Sequence, residues 1–338
     1  MHIPDGYLSP QTDAVLGIAS GIMVAVAASK TASTVRAKYI PMLSVGAAFS
    51  FTIMMFNVPI PDGTTAHAVG GSLLAVILGP WAAMISVSIA LIIQALFFGD
   101  GGILALSANI FNMAVVMPFV SYAIYQLIAG KSDTLSKRRM IGAGIAGYIG
   151  INMAALCAAI EFGIQPMLFH AANGMPLYSP YGLGVAIPAM AFAHLIIAGP
   201  VEGVVTGLVI AYLQRSNPVL LQMRNDSGSA TSLVPYGRYI AGLIVIALLT
   251  PLGLLASGTA WGEWGDLQAQ LGFVPSGLEK LGNFWNHILF PGYGIAGFDQ
   301  SFWQQALGYI MSAFFALLVI GVIGFAIQRF VRKSEGHT

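Results

Sequence analysis

Long apolar segments, separated by Gly, Pro and short polar stretches, recur along most of the chain. A helix needs ~20 apolar residues to cross the ~30 Å hydrocarbon core of a bilayer. Hydropathy and the Gly/Pro breaks predict nine such spans, near residues 13–29, 40–56, 66–79, 81–98, 107–129, 139–163, 184–213, 237–257 and 305–328. The expected fold class is therefore all-α, a polytopic transmembrane helical bundle.

Charged residues support this interpretation and predict an orientation. Only 8% of residues are Asp, Glu, Lys or Arg, against roughly a quarter in soluble proteins. With the N-terminus outside and the C-terminus inside, all of the 14 Lys and Arg residues except Lys280 lie at cytoplasmic ends of the spans, as the positive-inside rule requires. Reading 66–98 as one broken helix would move the basic segment 131–139 outside. We therefore expect nine spans in the cell (inner) membrane.

The same pattern divides the chain into two predicted modules. Residues 1–213 contain seven spans, the polar stretch 214–236 is expected to be a cytoplasmic linker, and residues 237–338 place two spans around a long outer loop at 258–304. The net charge of +1 gives no support for nucleic-acid binding. Cys157 is the only cysteine, so we expect neither a disulfide framework nor a thiolate metal site.

The start of the chain offers an unusual set of nitrogen donors. No signal peptide is evident, so we expect a free α-amine on Met1, followed by the amide nitrogen and imidazole of His2. Amine and amide nitrogens close a five-membered ring on one metal ion, and the amide nitrogen and the His2 imidazole close a six-membered ring. The predicted topology places His67 at the same outer face, where it can supply a fourth nitrogen. Square-planar nitrogen ligation is typical of Ni(II) and Cu(II), although a histidine at position 2 is by itself also compatible with no metal role.

Four further polar residues are predicted to lie inside the bundle. Glu202 falls deep in the seventh span, where a carboxylate costs ~2.5–3.5 kcal/mol on insertion scales. His194 lies two helical turns earlier on roughly the same face. Asn109 and Asn112 are three residues apart at the outer end of the fifth span. For all four we favour hydrogen bonding between helices or to the metal ligands over direct metal ligation.

Five segments resemble the CbiM/NikM family, the substrate-binding subunits of energy-coupling factor (ECF) transporters for cobalt and nickel. They are Met-His-Ile-Pro-Asp-Gly at 1–6 and the segments 67–71, 94–102, 109–113 and 194–203. The N-terminal motif is highly specific, and the resemblance spans residues 1 to about 213. The last third, through 249–255 and 260–264, is similar to the small two-helix accessory component of the same systems, here fused to the subunit.

The resemblance implies a seven-helix subunit whose N-terminal segment folds back into the bundle. There the Met1 amine, the His2 amide and imidazole, and the His67 imidazole would bind the ion. It implies high-affinity capture of a divalent metal for ATP-driven uptake, with nickel expected and cobalt the alternative. The chain is not expected to be an enzyme, because ATP hydrolysis belongs to a cytoplasmic ATPase pair that works with a transmembrane coupling (T) protein in the lipid bilayer.

A different class of function stays open at this stage. A stand-alone secondary permease would exchange protons for metal through Glu202 and His194, and transport without any ATPase partner would favour it. Binding affinity does not identify the transported metal, because the Irving–Williams order places nickel above cobalt but copper above both. We expect nickel because an anionic amide nitrogen in a square plane suits low-spin Ni(II).

Overall fold

The computed structural model describes residues 2–34, 40–60, 64–222, 236–256 and 271–335. Met1, most of the predicted linker (223–235) and the first part of the predicted outer loop (258–270) lie outside the described residues. The described chain is predominantly helical, which confirms the helical character of the expected fold. Its strands form a two-stranded sheet.

The elements are numbered here in chain order. The α-helices are α1 (Pro10–Thr34), α2 (Ile40–Met54), α3 (Gly71–Leu78), α4 (Pro80–Ile93), α5 (Leu106–Asn109), α6 (Met117–Ala129), α7 (Lys137–Leu168), α8 (Leu183–Ala193), α9 (Gly199–Ser216), α10 (Tyr236–Leu249), α11 (Ser276–Leu281) and α12 (Phe302–Glu335). Antiparallel strands β1 (Val58–Ile60) and β2 (Thr64–Ala66) connect α2 to α3. Wider π-helical turns occur at Gln94–Phe98, Ile110–Val116 and His194–Ala198, and short 3-10 helices at Pro218–Gln222, Thr250–Leu255 and Pro291–Tyr293.

Seven helical segments in the described chain are long and apolar enough to cross a membrane, and they coincide with seven of the nine predicted spans. They are Pro10–Ala32, Pro80–Phe98, Leu106–Ala129, Lys137–Leu168, Leu183–Ser216, Tyr236–Leu255 and Phe302–Val331. The other two predictions correspond to shorter helices, α2 with 15 residues and α3 with 8 residues. Both fall below the ~17 residues that a helical crossing requires.

Gly79 and Pro80 separate α3 from α4, as the sequence predicts. Gly79 has a φ of 85°, a backbone conformation that favours glycine because it has no Cβ. Pro80 takes the first position of α4, where its missing N–H leaves no hydrogen bond unmade. The region 66–98 is therefore two helices that pack against each other, and a single long helix is excluded.

Small residues let α7 pack closely against α6 and α9. A Cβ added to Gly150 would lie 1.9 Å from Oγ of Ser121, and one added to Gly203 would lie 2.8 Å from the carbonyl oxygen of Gly144. Small side chains at helix interfaces permit such close backbone approach in membrane proteins. The packing brings the first turns of α9, which carry Glu202, against the segment that precedes α3.

Residues 2–9 run into the bundle instead of over its surface. Ile3 and Leu8 have no exposed surface. The N–H of Ile3 donates to Oδ1 of Asn109 (2.7 Å), and Nδ2 of Asn109 donates to the carbonyl of Ile3 (3.1 Å). The carboxylate of Asp5 accepts three backbone N–H groups from residues 103–105 at 2.8 to 3.1 Å. The start of the chain is therefore fixed against the segment 102–109.

The segment after residue 271 packs on the same end of the bundle. The N–H of Gly277 donates to the carbonyl of Leu177 (2.8 Å), and the N–H groups of Leu289 and Phe290 both donate to the carbonyl of Phe97 (3.0 and 2.9 Å). The helix that follows, α12, packs along α2. Residues from the predicted accessory module thus contact the π-helical turn that ends α4.

Gly102 leaves no room for a side chain beside the N-terminal segment, because an added Cβ would lie 1.9 Å from Oδ1 of Asp5. We expect Gly102→Ala to displace residues 2–6 and destabilise their packed position by roughly 1–3 kcal/mol, with the helices intact. Faster hydrogen exchange at the Ile3 amide measures the effect. Gly182→Ala is the control, since nothing lies within 4 Å of its added Cβ. Equal protection of Ile3 in both variants would contradict the packing described here.

Candidate metal site

The N-terminal segment and the loop before α3 bring the rings of His2 and His67 together. Both side chains are buried, with 4% and 7% of their surface exposed. Nδ1 of His2 lies 3.2 Å from Nε2 of His67, and the ring centroids are 5.0 Å apart. Two of the three candidate ligands are thus in contact. The third, Met1, directly precedes His2 and lies outside the described residues.

The second nitrogen of each ring indicates which tautomer is present. Nδ1 of His67 lies 3.1 Å from the carbonyl oxygen of Ala68, and Nε2 of His2 lies 3.2 Å from Oε1 of Gln94. Each of these ring nitrogens can donate its hydrogen to the oxygen it faces. With the ring hydrogens directed to these two oxygens, the nitrogens that face each other, Nδ1 of His2 and Nε2 of His67, both carry lone pairs.

Asp100 adds a further acceptor beside His2. Its Oδ1 lies 3.3 Å from Nδ1 of His2, so this nitrogen faces both the lone pair of His67 and a carboxylate oxygen. The neutral ring can satisfy these acceptors with a hydrogen on Nδ1, or it can keep its hydrogen on Nε2 and leave Nδ1 free for a metal ion. Burial lowers the pKa of His2 below its ordinary value of 6.5, although the charge of Asp100 opposes the shift. The ring is therefore neutral at neutral pH, which is the form in which an imidazole binds a metal ion.

Glu202 and Asn109 hold the chain segments that carry the two histidines. Oε2 of Glu202 accepts the backbone N–H groups of Val69 (2.9 Å) and Gly70 (3.0 Å), just after His67. Asn109 pairs with Ile3, just after His2. The other oxygen of Glu202 is buried and has no hydrogen-bond partner in the described chain. These positions suit the structural role that we favour for both residues, which stays a prediction.

His194 and Asn112 make other contacts. Nδ1 of His194 lies 2.8 Å from the carbonyl oxygen of Met190, four residues earlier on the same helix. Nδ2 of Asn112 donates to Oε2 of Glu161 (2.7 Å). Within the described residues, His194 and Glu202, the two members of the conceivable proton relay, are not hydrogen-bonded to each other.

Three residues near His2 carried no assigned role in the sequence. Gln94 and Asp100 lie at the two ends of an apolar turn within 94–102, and both contact His2. Tyr293 contacts both of them. Polar residues at both ends of an otherwise apolar turn could have identified Gln94 and Asp100 as candidate site residues. Nothing in the local sequence around Tyr293 indicates that it contacts Gln94 and Asp100.

Side chains alone do not complete a metal site here. In the described part of the chain, no three His, Cys, Asp or Glu side chains are grouped so that they could hold one ion. The further donors of the expected site are nitrogens of the chain itself, the Met1 amine and the His2 amide. Imidazole and amide nitrogens of this kind suit nickel, copper or cobalt better than magnesium or calcium, which prefer oxygen.

Known proteins match the chain along most of its length. Residues 2–220 match the CbiM family, described as the cobalt uptake substrate-specific transmembrane region. The fused nickel transport protein NikMN of Rhodobacter capsulatus is 48% identical over 95% of this chain and 96% of its own length. The probable fused nickel transport protein LarMN of Lactiplantibacillus plantarum is 48% identical over 94% of this chain and 95% of its own.

A solved structure shares the fold. The crystal structure of a transition metal transporter is 61% identical to this chain, with a TM-score of 0.60, and the match covers 63% of this chain and 92% of that one. The relatives are transport proteins and not enzymes. Together with the seven apolar helices, they make the chain a multi-pass membrane protein, which is consistent with the inner membrane. The chain belongs to the CbiM family of substrate-specific transmembrane proteins for metal uptake.

Proposed function

We propose that this chain is the substrate-binding component of an ECF transporter and captures a divalent transition metal, nickel in preference to cobalt, for ATP-driven uptake. Membership of the CbiM family supports metal uptake, and the fused nickel transport proteins among its relatives support nickel. One observation carries the site. Two buried imidazole nitrogens, Nδ1 of His2 and Nε2 of His67, face each other at 3.2 Å.

The proposed ligands are Met1, His2 and His67. The amine of Met1, the amide nitrogen of His2 and Nδ1 of His2 follow one another around a square plane, because the two chelate rings fix their order. Nε2 of His67 then takes the corner beside Nδ1 of His2. Adjacent corners lie about 2.8 Å apart when metal–nitrogen bonds are ~2.0 Å long. The separation of 3.2 Å therefore needs to close only slightly around an ion.

Nickel is the proposed substrate because this donor set includes an amide nitrogen, which binds as an anion. A strong ligand field in a square plane favours low-spin Ni(II), and square-planar nitrogen sites are diagnostic of Ni(II) or Cu(II). Cobalt is the alternative, since the family is described by cobalt uptake. Copper binds such ligands still more strongly, so selection against copper does not follow from affinity.

The nine-span topology, with the N-terminus outside and the C-terminus inside, is also a proposal. Helix α3 has only 8 residues, but residues 65–70 before it are buried, and non-helical backbone is tolerated at membrane depth when protein surrounds it. Seven residues at up to ~3.3 Å each and eight at ~1.5 Å reach about 35 Å. Residues 64–78 are thus long enough for one crossing.

The chain is proposed to consist of two modules and to work with separate partner proteins. Residues 1–213 form the substrate subunit, 214–236 the linker and 237–338 the accessory module, and the family match ending at residue 220 supports the first boundary. A T protein and a cytoplasmic ATPase pair supply the energy that opens the subunit and releases the ion inward. Metal uptake that continues without any ATPase would instead favour the proton-coupled permease with Glu202 and His194.

Blocking the Met1 amine tests the first ligand. A formyl or acetyl group on Met1 removes the basic amine, so we expect high-affinity nickel binding to be lost while the protein stays folded. Titration calorimetry on purified protein measures the affinity, and circular dichroism checks the fold. A matched extension after Thr338 should change nothing. Nickel binding of unchanged affinity in the acylated protein would remove Met1 from the ligand set.

Replacing His67 tests the fourth nitrogen. In His67→Ala, three nitrogens remain and water takes the fourth position, so we expect nickel affinity to fall by roughly 100-fold or more, since even changes to groups that only orient a ligand cost 10–100-fold. His170→Ala is a matched control, because Nδ1 of His170 makes the same kind of contact with the next carbonyl (3.2 Å) on an exposed loop. Normal binding by His67→Ala with a defect in His194→Ala would mean that the other histidine is the ligand.

A further inference from the structure

We propose that Tyr293 is a positioning residue for the metal site. Its hydroxyl fixes Gln94 and Asp100 so that His2 presents an unprotonated Nδ1 to the ion. This inference rests on the proposed function, and it adds a residue from the C-terminal segment, well beyond the stretch 2–220 that matches the family. Tyr293 does not touch the ion. It acts through Gln94, the side chain that selects the tautomer of His2.

The donors and acceptors around the Tyr293 hydroxyl allow one consistent assignment. The hydroxyl has a single hydrogen and donates it to Oδ2 of Asp100. It must therefore accept from Gln94, whose Nε2 lies 2.9 Å away. Burial, followed by the neighbouring charge of Asp100, raises the pKa of Tyr293 well above 10, so the phenol keeps its hydrogen at neutral pH.

This assignment sets the orientation of the Gln94 amide. With Nε2 directed to Tyr293, Oε1 is left facing Nε2 of His2 at 3.2 Å. An amide oxygen accepts and cannot donate, so the hydrogen of the neutral His2 ring is held on Nε2. Nδ1 is then free for the metal, because the hydrogen bond at one ring nitrogen decides which nitrogen binds the ion.

Without the hydroxyl, the opposite arrangement becomes available. Gln94 can rotate its amide and donate to Nε2 of His2, which moves the ring hydrogen to Nδ1. There it would be bonded by Oδ1 of Asp100, already 3.3 Å away. That tautomer cannot bind a metal through Nδ1. The hydroxyl of Tyr293 therefore favours the metal-binding form of His2 over a competing form that the same residues would also satisfy.

Tyr293 is rigidly held for this task. The side chain is 5% exposed and stacks on Phe98, with ring centroids 5.0 Å apart and planes 30° apart. Its carbonyl accepts from Oγ of Ser312 on α12 (2.9 Å). Among the described residues it is the only one other than glycine with a positive φ, at 65°. Such conformations persist where the surrounding structure enforces them, and they cluster at functional sites.

The test compares nickel binding by the full-length wild type, Tyr293→Phe and Tyr309→Phe, all with a free N-terminus. Tyr293→Phe keeps the ring and removes only the hydroxyl. Tyr309 is the matched control, because it is buried and packs on the Tyr293 ring at 5.6 Å without bonding Gln94 or Asp100 in the described chain. We expect Tyr293→Phe to weaken nickel binding about 10-fold or more and Tyr309→Phe to stay near the wild type.

A second background separates positioning from a general loss of packing. In Gln94→Ala the residue through which Tyr293 acts is gone, so adding Tyr293→Phe should lower nickel affinity by less than about 3-fold. Gln94→Ala alone should weaken nickel binding as much as Tyr293→Phe does. This variant therefore tests the role of Gln94 even if Tyr293→Phe does not fold. Equal fold-losses from Tyr293→Phe in both backgrounds, or normal binding by Tyr293→Phe or Gln94→Ala, would overturn the proposal. A wild type that binds no nickel would instead refute the proposed function itself.

Discussion

Holding the first residues of the chain inside the bundle is the constraint on which this site depends. A buried backbone N–H or carbonyl is costly unless it is hydrogen-bonded. Asn109 meets that requirement at Ile3 by donating to its carbonyl and accepting from its N–H, as a neighbouring strand would. Asp5 does the reverse, accepting three N–H groups from residues 103–105. Loss of these bonds would let the N-terminus leave, and His2 would no longer meet His67.

Two carboxylates that make no ion pair with Lys or Arg in the described chain, those of Glu202 and Asp100, shape the other half of the site. Glu202 is fully buried, and its ionised form would be expensive inside a membrane protein. Oε2 of Glu202 accepts the backbone N–H groups of Val69 and Gly70, just after His67. These two bonds fix the loop that leads into α3. The same logic applies to Asp100, whose two oxygens face Tyr293 and His2. Polar side chains thus orient the imidazoles, and the chain itself is proposed to supply the remaining nitrogens.

The sequence was sufficient for features that depend on length and local chemistry. Apolar length predicted the helices that the structure has at α1, α7 and α12, and the Gly79–Pro80 pair predicted the break before α4. The predicted topology placed His2 and His67 at the same face, and the resemblance to the family implied that the N-terminal segment folds back to bring them together. The short α3 and the strands before it were missed, because hydropathy averaged over ~19 residues does not distinguish a helix from buried extended chain. The contact of Tyr293 with Gln94 was missed because packing alone brings together residues 199 positions apart.

The central claim is that the ion sits in a plane of four nitrogens, and the colour and magnetism of the nickel-loaded protein test it most directly. The α-amine titrates near ~7.7–8 and free histidine near ~6.5, and metal binding must also expel the amide proton. One detergent-solubilised sample near neutral pH should be yellow and diamagnetic, with a single visible band and one to two protons released per nickel ion. Pale green, paramagnetic nickel whose affinity does not change between pH 6 and 8 would place the ion among oxygens such as those of Asp100 and contradict the account.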